Sequence, residues 1–296
     1  MARVIPDETV TRVRRAIADA LRDRVVGDDA DAKRLAIAGA EGPRWFDASD
    51  AIVRVHSDSS MFIGGMRALL LQSLHPLAMA GVAQHSDYRN DPWGRLQRTA
   101  EFVAATTFGT VETAERAVAV VRAVHGRVHG VTRDGVPYSA GDPHLLRWVH
   151  VAEVDSFLSA HQTYGEHPLT SREADDYVSQ TARVARALGV PAPPVSVRGL
   201  RDQLSSFRHE LRGTPESRDA AKYLLLDPPL ALAARVPYGL IAAAAVATLP
   251  AWARADLRLP WLPLTERLVL RPVGQGIART IRWAVAIDEP PFAATN

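Results

Sequence analysis

The chain contains no cysteine. That absence excludes disulfides, thiolate nucleophiles, iron–sulfur clusters, thiolate-ligated haem and covalently attached haem together. Any metal must then be held by histidine and carboxylates. Aromatic residues make up only 6% of the chain and are not interleaved with basic runs, which argues against nucleic acid as the main partner. Charge of one sign is also lacking: 35 Lys+Arg stand against 33 Asp+Glu, for a net +2. The sequence pI of 9.1 therefore reflects arginine in excess of lysine, not a basic block. Residues 1–24 are polar and charged and lack the apolar core of a signal peptide, so the expected location is cytoplasmic. The longest apolar stretch, Val236 to Ala253, approaches one membrane span in length. It is mostly alanine and is interrupted by Pro237, Gly239 and Pro250, so a buried helix is expected there.

What is present suffices for a large core: 296 residues, 47% hydrophobic and 23% charged, enough for one large domain or two ordinary ones. Helical periodicity dominates. Asp7 to Arg24 carries Val10, Val13, Ile17 and Leu21 on one side. Trp45, Phe46 and Val53 to Val55 read as a short irregular stretch. Ser59 is expected to cap a helix through Met66, Leu70 and Leu74 that Pro76 kinks or ends. Asp91-Pro92 and Asp142-Pro143 each place a capping carboxylate before a first-turn proline. Thr110 is expected to cap a helix that runs to Gly130, with a turn at Asp134-Gly135 and Tyr138 in the loop beyond. Thr170-Ser171-Arg172-Glu173 forms a capping box for a helix ending at Gly189. Ser196 to Leu211, Thr214 to Leu226 and Ile277 to Ile287 complete the set. With no alternating strand pattern and no internal repeat, the sequence predicts an all-α fold in a single domain.

Two stretches carry polar groups on otherwise apolar helical faces. Arg95, Arg98 and Thr99 follow Pro92 at helical spacing and read either as a solvated basic face or as a partner for a carboxylate or bound oxygen. His125 and His129 are four residues apart beside Val118, Val121, Val124 and Val128. Each imidazole is either a hydrogen-bonded core residue or a ligand to a metal or cofactor. His129 sits at the expected helix end, where it would also complement the dipole; His125 is the deeper of the two. His75-Pro76 and His85-Ser86-Asp87-Tyr88 flank Gly81, where a pocket mouth would lie. His150, in Trp148-Val149-His150, looks inward and reads as structural.

Several chemistries are excluded by missing motifs. His209-Glu210 lacks the second histidine of a His-Glu-x-x-His zinc helix, and the paired Glu-x-x-His motifs of di-iron bundles are absent. There is no phosphate-binding glycine loop and no Gly-x-Ser-x-Gly elbow. Gly64-Gly65 inside a helical stretch reads as close helix packing.

The series Leu74-His75-Pro76, Gly81-Val82, His85-Ser86, Asp91-Pro92, Arg95-x-x-x-Thr99, His125-x-x-Val128-x-Gly130, Gly135-x-x-Tyr138, Asp142-Pro143 and Trp148-Val149-His150 resembles the rubber-oxygenase (latex clearing protein) and mpaB-type catalytic domain, formerly domain of unknown function 2236. The resemblance covers roughly residues 45–260, leaving 1–44 as an N-terminal helix and connector and 261–296 as a C-terminal helix on the same domain. It implies a partly globin-like helical core around a non-covalent haem b (iron protoporphyrin IX), dioxygen as co-substrate, and an oxygenase acting on an apolar substrate. His125 would ligate iron, with His129 as the fallback one turn on. Arg95 and Thr99 would border the distal pocket, and Arg98, His75 and His85 would line its entrance. Where rubber-cleaving members carry a lysine before that threonine, this chain has Arg98, a permanently protonated group and a poor iron ligand, so the sixth position is expected to be water or open. The acidic residue those enzymes use has no counterpart near Met79. Both departures turn the expectation from polymer cleavage to a small lipid-like or terpenoid substrate. A helical protein that binds haem or lipid without turnover is the alternative. Peripheral membrane contact and homodimerisation stay open as further partners.

Overall fold

The computed structural model describes residues 11, 14–15, 30–86, 89–260 and 263–285. The helix expected over Asp7 to Arg24 lies almost wholly outside the described residues, as do Asp87 and Tyr88. Helices α1 (Ala30–Ala38), α2 (Ala51–Ser57), α3 (Met61–Gln72), α4 (Pro76–His85), α5 (Pro92–Phe108) and α6 (Val111–His125) lead to a two-stranded ribbon, β1 (His129–Val131) and β2 (Pro137–Ser139). Then come α7 (Pro143–Tyr164), α8 (Ser171–Leu188), α9 (Val197–Ser206), a 3-10 turn (Phe207–His209), α10 (Pro215–Leu226), α11 (Leu232–Thr248), α12 (Ala251–Leu257) and α13 (Arg271–Val285). A π-helical turn, Glu266–Leu270, feeds α13. The fold is all-α, as expected, with the small antiparallel ribbon added.

Local chemistry sets many of the boundaries. The Asp91 carboxylate accepts from the Gly94 amide at 2.9 Å, and Asp142 accepts from the His144 amide at 2.8 Å. These caps satisfy amides left without intrahelical partners at α5 and α7. Thr110 caps α6, and Thr170 and Glu173 exchange bonds in a capping box that opens α8. Gly189 closes α8 with φ +99°, a left-handed conformation that favours glycine.

Helix α7 is the axle of the fold. Its buried residues point in every direction around the helix, the pattern of a largely interior helix. Trp148, Ala152, Ala160 and Tyr164 join a cluster with Ile63, Leu70, Leu71 and Leu74 of the α3 segment and Ala244 and Ala245 of α11. Val151, Val154, Phe157 and Leu158 join a second cluster with Ile52 and Val55 of α2 and Tyr177 and Val178 of α8. Close approach of α3 to α7 depends on Gly64. A Cβ there would meet Phe157 Cδ1 at 2.9 Å and Ala160 Cβ at 3.3 Å, so the glycine is a packing residue. Its neighbour Gly65 faces open space.

Four expectations are corrected. The stretch Val53 to Val55 is helical, not irregular, because Ile52 and Val55 are fully buried against α7 and α8 and tertiary packing overrides their β-branched preference. Ser59 does not cap α3; its hydroxyl donates to the Ala278 carbonyl at 2.8 Å, while the Ser60 amide is met by the Asp58 carboxylate. Helix α6 ends at His125, five residues before Gly130, because the chain there turns into the ribbon, where Gly130 pairs with Tyr138. Tyr138 is thus a buried strand residue and not a loop residue, and its hydroxyl donates to Gln84 Oε1 at 2.8 Å. The apolar stretch ending at Ala253 is split between α11 and α12, and Ile241, Ala242, Ala244, Ala245 and Ala247 are buried. No helix among the described residues is long and apolar enough to cross a membrane.

Candidate functional site

The residues singled out in the sequence are spread over several elements. Arg95, Arg98 and Thr99 lie in the first turns of α5. Arg95 is half-buried, whereas Arg98 and Thr99 are exposed. Thr99 Oγ1 donates to the Arg95 carbonyl at 3.0 Å, and Arg98 Nη1 pairs with Asp91 Oδ2 at 3.3 Å. His125 is the last residue of α6, half-buried, and its imidazole makes no hydrogen bond among the described residues. Burial holds its pKa below the usual value, so the ring is neutral at pH 7. His129 does not share its helical face. It is an exposed residue of β1, paired with Ser139. His85 is exposed at the end of α4, edge-on to Tyr138 at 6.2 Å.

The face of α6 that ends in His125 borders an open cleft of about 470 Å³, lined by Trp45, Glu115, Val118, Ala119, Arg122 and Ala187. His125 lies three residues beyond Arg122 and seven beyond Val118, on the same helical stripe but outside the lining itself. The volume falls within the range of small-molecule pockets.

His75 is elsewhere. It is 2% exposed, at the junction of α3 and α4, and belongs to a cluster absent from the sequence reading. His144, in the first turn of α7, places Nε2 at 2.9 and 2.8 Å from the two oxygens of Glu210. His75 Nε2 lies 3.3 Å from Glu210 Oε2. Donor atoms of all three lie within 4.8 Å of one another, a spacing that one metal ion can bridge. Aromatic rings wall the cluster: Phe207 sits 4.8 Å from the His144 ring and Trp148 6.2 Å from the His75 ring. Burial lowers the His75 pKa against the opposing effect of Glu210. Burial pushes the Glu210 carboxyl up, but hydrogen bonds from His144 and His75 outweigh it and hold the carboxyl below its usual range. The sequence did carry faint signals. The Asp142 cap fixes His144 in a first turn, and Glu210 follows His209, yet nothing local announces that they meet His75.

A second polar group threads the interior between α2, α5, α7 and α8. His56 Nδ1 lies 2.8 Å from Thr107 Oγ1, and its Nε2 lies 3.3 Å from the Tyr177 hydroxyl. His150 Nε2 is buried without a partner. Glu153, one turn further along α7, forms no hydrogen bond or ion pair among the described residues. Burial, and then His161, lowers His56 to about 3. Burial lowers His150 to about 4 and raises Glu153 to about 7. All three keep some accessible surface despite this desolvation. Their ring and carboxyl groups are thus desolvated although the residues are not wholly enclosed.

This gives a stability prediction. Below pH 4.5 the Glu153 carboxyl is protonated in both states; between 4.5 and about 7 the unfolded chain releases that proton while the folded chain keeps it. Stability conferred at this position thus falls as pH rises through that window and levels off above it, by at most about 3 kcal/mol. The two histidines act in the opposite direction, losing stability as pH falls below 6.5. Glu153→Gln is expected to gain stability over the native chain at pH 8 relative to pH 5, read from urea midpoints at both pH values. An equal difference at both would show a solvated carboxyl.

An all-helical domain with neutral interior imidazoles and a His/His/Glu cluster is equipped to hold a metal or a metal-bearing cofactor. The family described as ER-bound oxygenase mpaB/B'/Rubber oxygenase, catalytic domain, matches residues 53–283, from α2 into α13. That span is well over half the chain, and the protein belongs to this oxygenase family. No curated protein and no solved structure matches it.

Proposed function

We propose that the protein is a haem b-dependent oxygenase acting with dioxygen on an apolar, lipid- or terpenoid-like small molecule. The observation that carries the reading is the state of His125. A neutral, half-buried imidazole whose ring nitrogens are not taken up by hydrogen bonds among the described residues, on the stripe of α6 that borders the cleft, has a lone pair to give to iron. The chemistry of that nitrogen suits haem iron, and this supports the reading. His125 would hold the haem, and Arg95, the half-buried member of the α5 trio, would meet a propionate. Haem iron, when bound, supplies the activation of dioxygen.

The chain's own residues supply binding, access and proton inventory. Trp45, Val118, Ala119 and Ala187 give the cleft an apolar lining suited to a hydrocarbon chain, with Glu115 and Arg122 marking a polar rim. Arg98 is paired with Asp91 at the surface and is no axial ligand in this reading, consistent with its permanent charge. Glu153, raised to about 7, holds an exchangeable proton near neutrality, while His150 one turn away stays neutral.

Haemin titrated into the purified protein is expected to give a Soret band saturating at one equivalent. His125→Ala should weaken uptake by more than about 100-fold, beyond the effect of losing an outer-shell partner, while His129→Ala should bind as the native chain does. Oxygen uptake by the loaded protein with an acyclic isoprenoid then separates an oxygenase from a carrier. A protein that takes up no haemin, or whose His125→Ala variant takes it up unchanged, would end the proposal.

A further inference from the structure

We infer that His75, His144 and Glu210 form a binding site for one divalent transition-metal cation, apart from the proposed haem site. Three segments far apart in sequence converge here: the α3–α4 junction, the first turn of α7 and the turn after α9. Each delivers a nitrogen or oxygen donor, and the three lie within 4.8 Å. A cation bonded to nitrogen and oxygen at about 2.1 Å holds neighbouring ligands about 3.0 Å apart in octahedral and about 3.4 Å apart in tetrahedral coordination. The His75–Glu210 separation of 3.3 Å lies within that range, and the His144–Glu210 separations of 2.8 and 2.9 Å fall just short of it. Closure on a cation needs a side-chain adjustment that brings the two imidazoles nearer each other.

The surroundings fit a site with open positions. His75 is anchored in the interior, while the side chains of His144 and Glu210 are 44% and 26% exposed, so water can complete the coordination. Two imidazoles with one carboxylate and free positions suit Fe(II), Zn(II) or Mn(II), and disfavour magnesium, which prefers oxygen ligands. Charge around the cluster is mixed. Arg147 Nη2 stands 3.3 Å from His144 Nδ1 and opposes a cation, and His209 lies 3.8 Å from Glu210. Asp142 acts on His75 in the opposite sense. When His144 gives its Nε2 lone pair to the cation its proton moves to Nδ1, and Arg147 gives up that contact while keeping its place 6.0 Å over Phe207.

The same short distances describe a metal-free hydrogen-bonded clamp, and titration with Zn²⁺ separates the two. Chelator-treated full-length protein is expected to bind one equivalent of Zn²⁺ with micromolar or tighter affinity, with or without haemin, and to gain thermal stability with rising Zn²⁺. Fe²⁺ and Mn²⁺ should compete in that order of strength, and millimolar Mg²⁺ should not compete. His144→Ala, at a half-exposed position that should leave the fold intact, and Glu210→Gln should each weaken Zn²⁺ binding on the order of 100-fold and abolish the thermal gain. His167→Ala, at an exposed histidine far from the cluster in sequence, should change neither. No uptake by the native chain at 100 μM Zn²⁺, equal uptake by His144→Ala, or competition by Mg²⁺ would each overturn the assignment. Because Zn²⁺ binding and haemin uptake are read separately, failure of one leaves the other standing.

Discussion

Arg67→Ala should lower the free energy of unfolding by about 3–5 kcal/mol, the usual result of removing one partner from a buried ion pair. Arg67 is 2% exposed, on α3 where it crosses α7. Its guanidinium donates to Asp155 Oδ2 at 2.7 Å, to Ser156 Oγ at 2.7 Å and to the Thr248 carbonyl at 3.1 Å. One side chain therefore ties α3, α7 and the end of α11. Alanine leaves the Asp155 carboxylate in a largely desolvated position without its cation, and it leaves a carbonyl without its donor. Lysine restores charge but not the three-way geometry, so Arg67→Lys should recover only part of the loss. Replacing both Arg67 and Asp155 by apolar residues should cost less than Arg67→Ala alone. Equilibrium urea unfolding of the four proteins checks this ordering. A loss under about 1 kcal/mol for Arg67→Ala would show that water reaches Asp155 once the guanidinium is gone.

Trp148→Ala should be comparably damaging, by about 3–5 kcal/mol. The indole is fully buried, packs 5.3 Å from Phe207, and donates from Nε1 to the Gln72 carbonyl at 3.2 Å. Its removal opens a cavity and strips a donor from the last residue of α3. It also takes away the wall beside His75. Trp148→Phe keeps most of the volume and should cost far less, the remainder reporting the Gln72 bond. The urea midpoints decide: if both variants lose the same amount, packing contributes little at this position.

How much of this was legible in the sequence depends on the range of the interaction involved. Asp91, Thr110, Asp142 and Thr170 were readable as caps because a cap needs only the next three residues. Gly64 was readable as a packing residue from its place in an apolar helix. Helix α2 was not, because its β-branched run carries no local helix signal and is held by the burial of Ile52 and Val55. The end of α6 was misplaced for a related reason. Val128 continues the helical stripe in sequence, and only the pairing of Gly130 with Tyr138, beyond the Asp134-Gly135 turn, shows a ribbon. That error put His129 on the same face as His125.

The candidate site divides the same way. His75 was singled out, but His144 and Glu210 lie 66 residues apart and meet only through the tertiary fold. Glu153 gave no signal, since an interior carboxylate on a helix looks like a surface one until its neighbours are known. His150 looked inward in sequence and does so in the structure, with one ring nitrogen unpartnered.

Helix α7 works as a ruler. It carries His144 at one end and Glu153 nine residues on, so at the rise of an α-helix the two polar centres stand about 13–14 Å apart along its axis. That interval is set by one continuous, largely buried helix. Loops at either end are therefore free to lengthen, shorten or change character while the two chemistries keep their spacing.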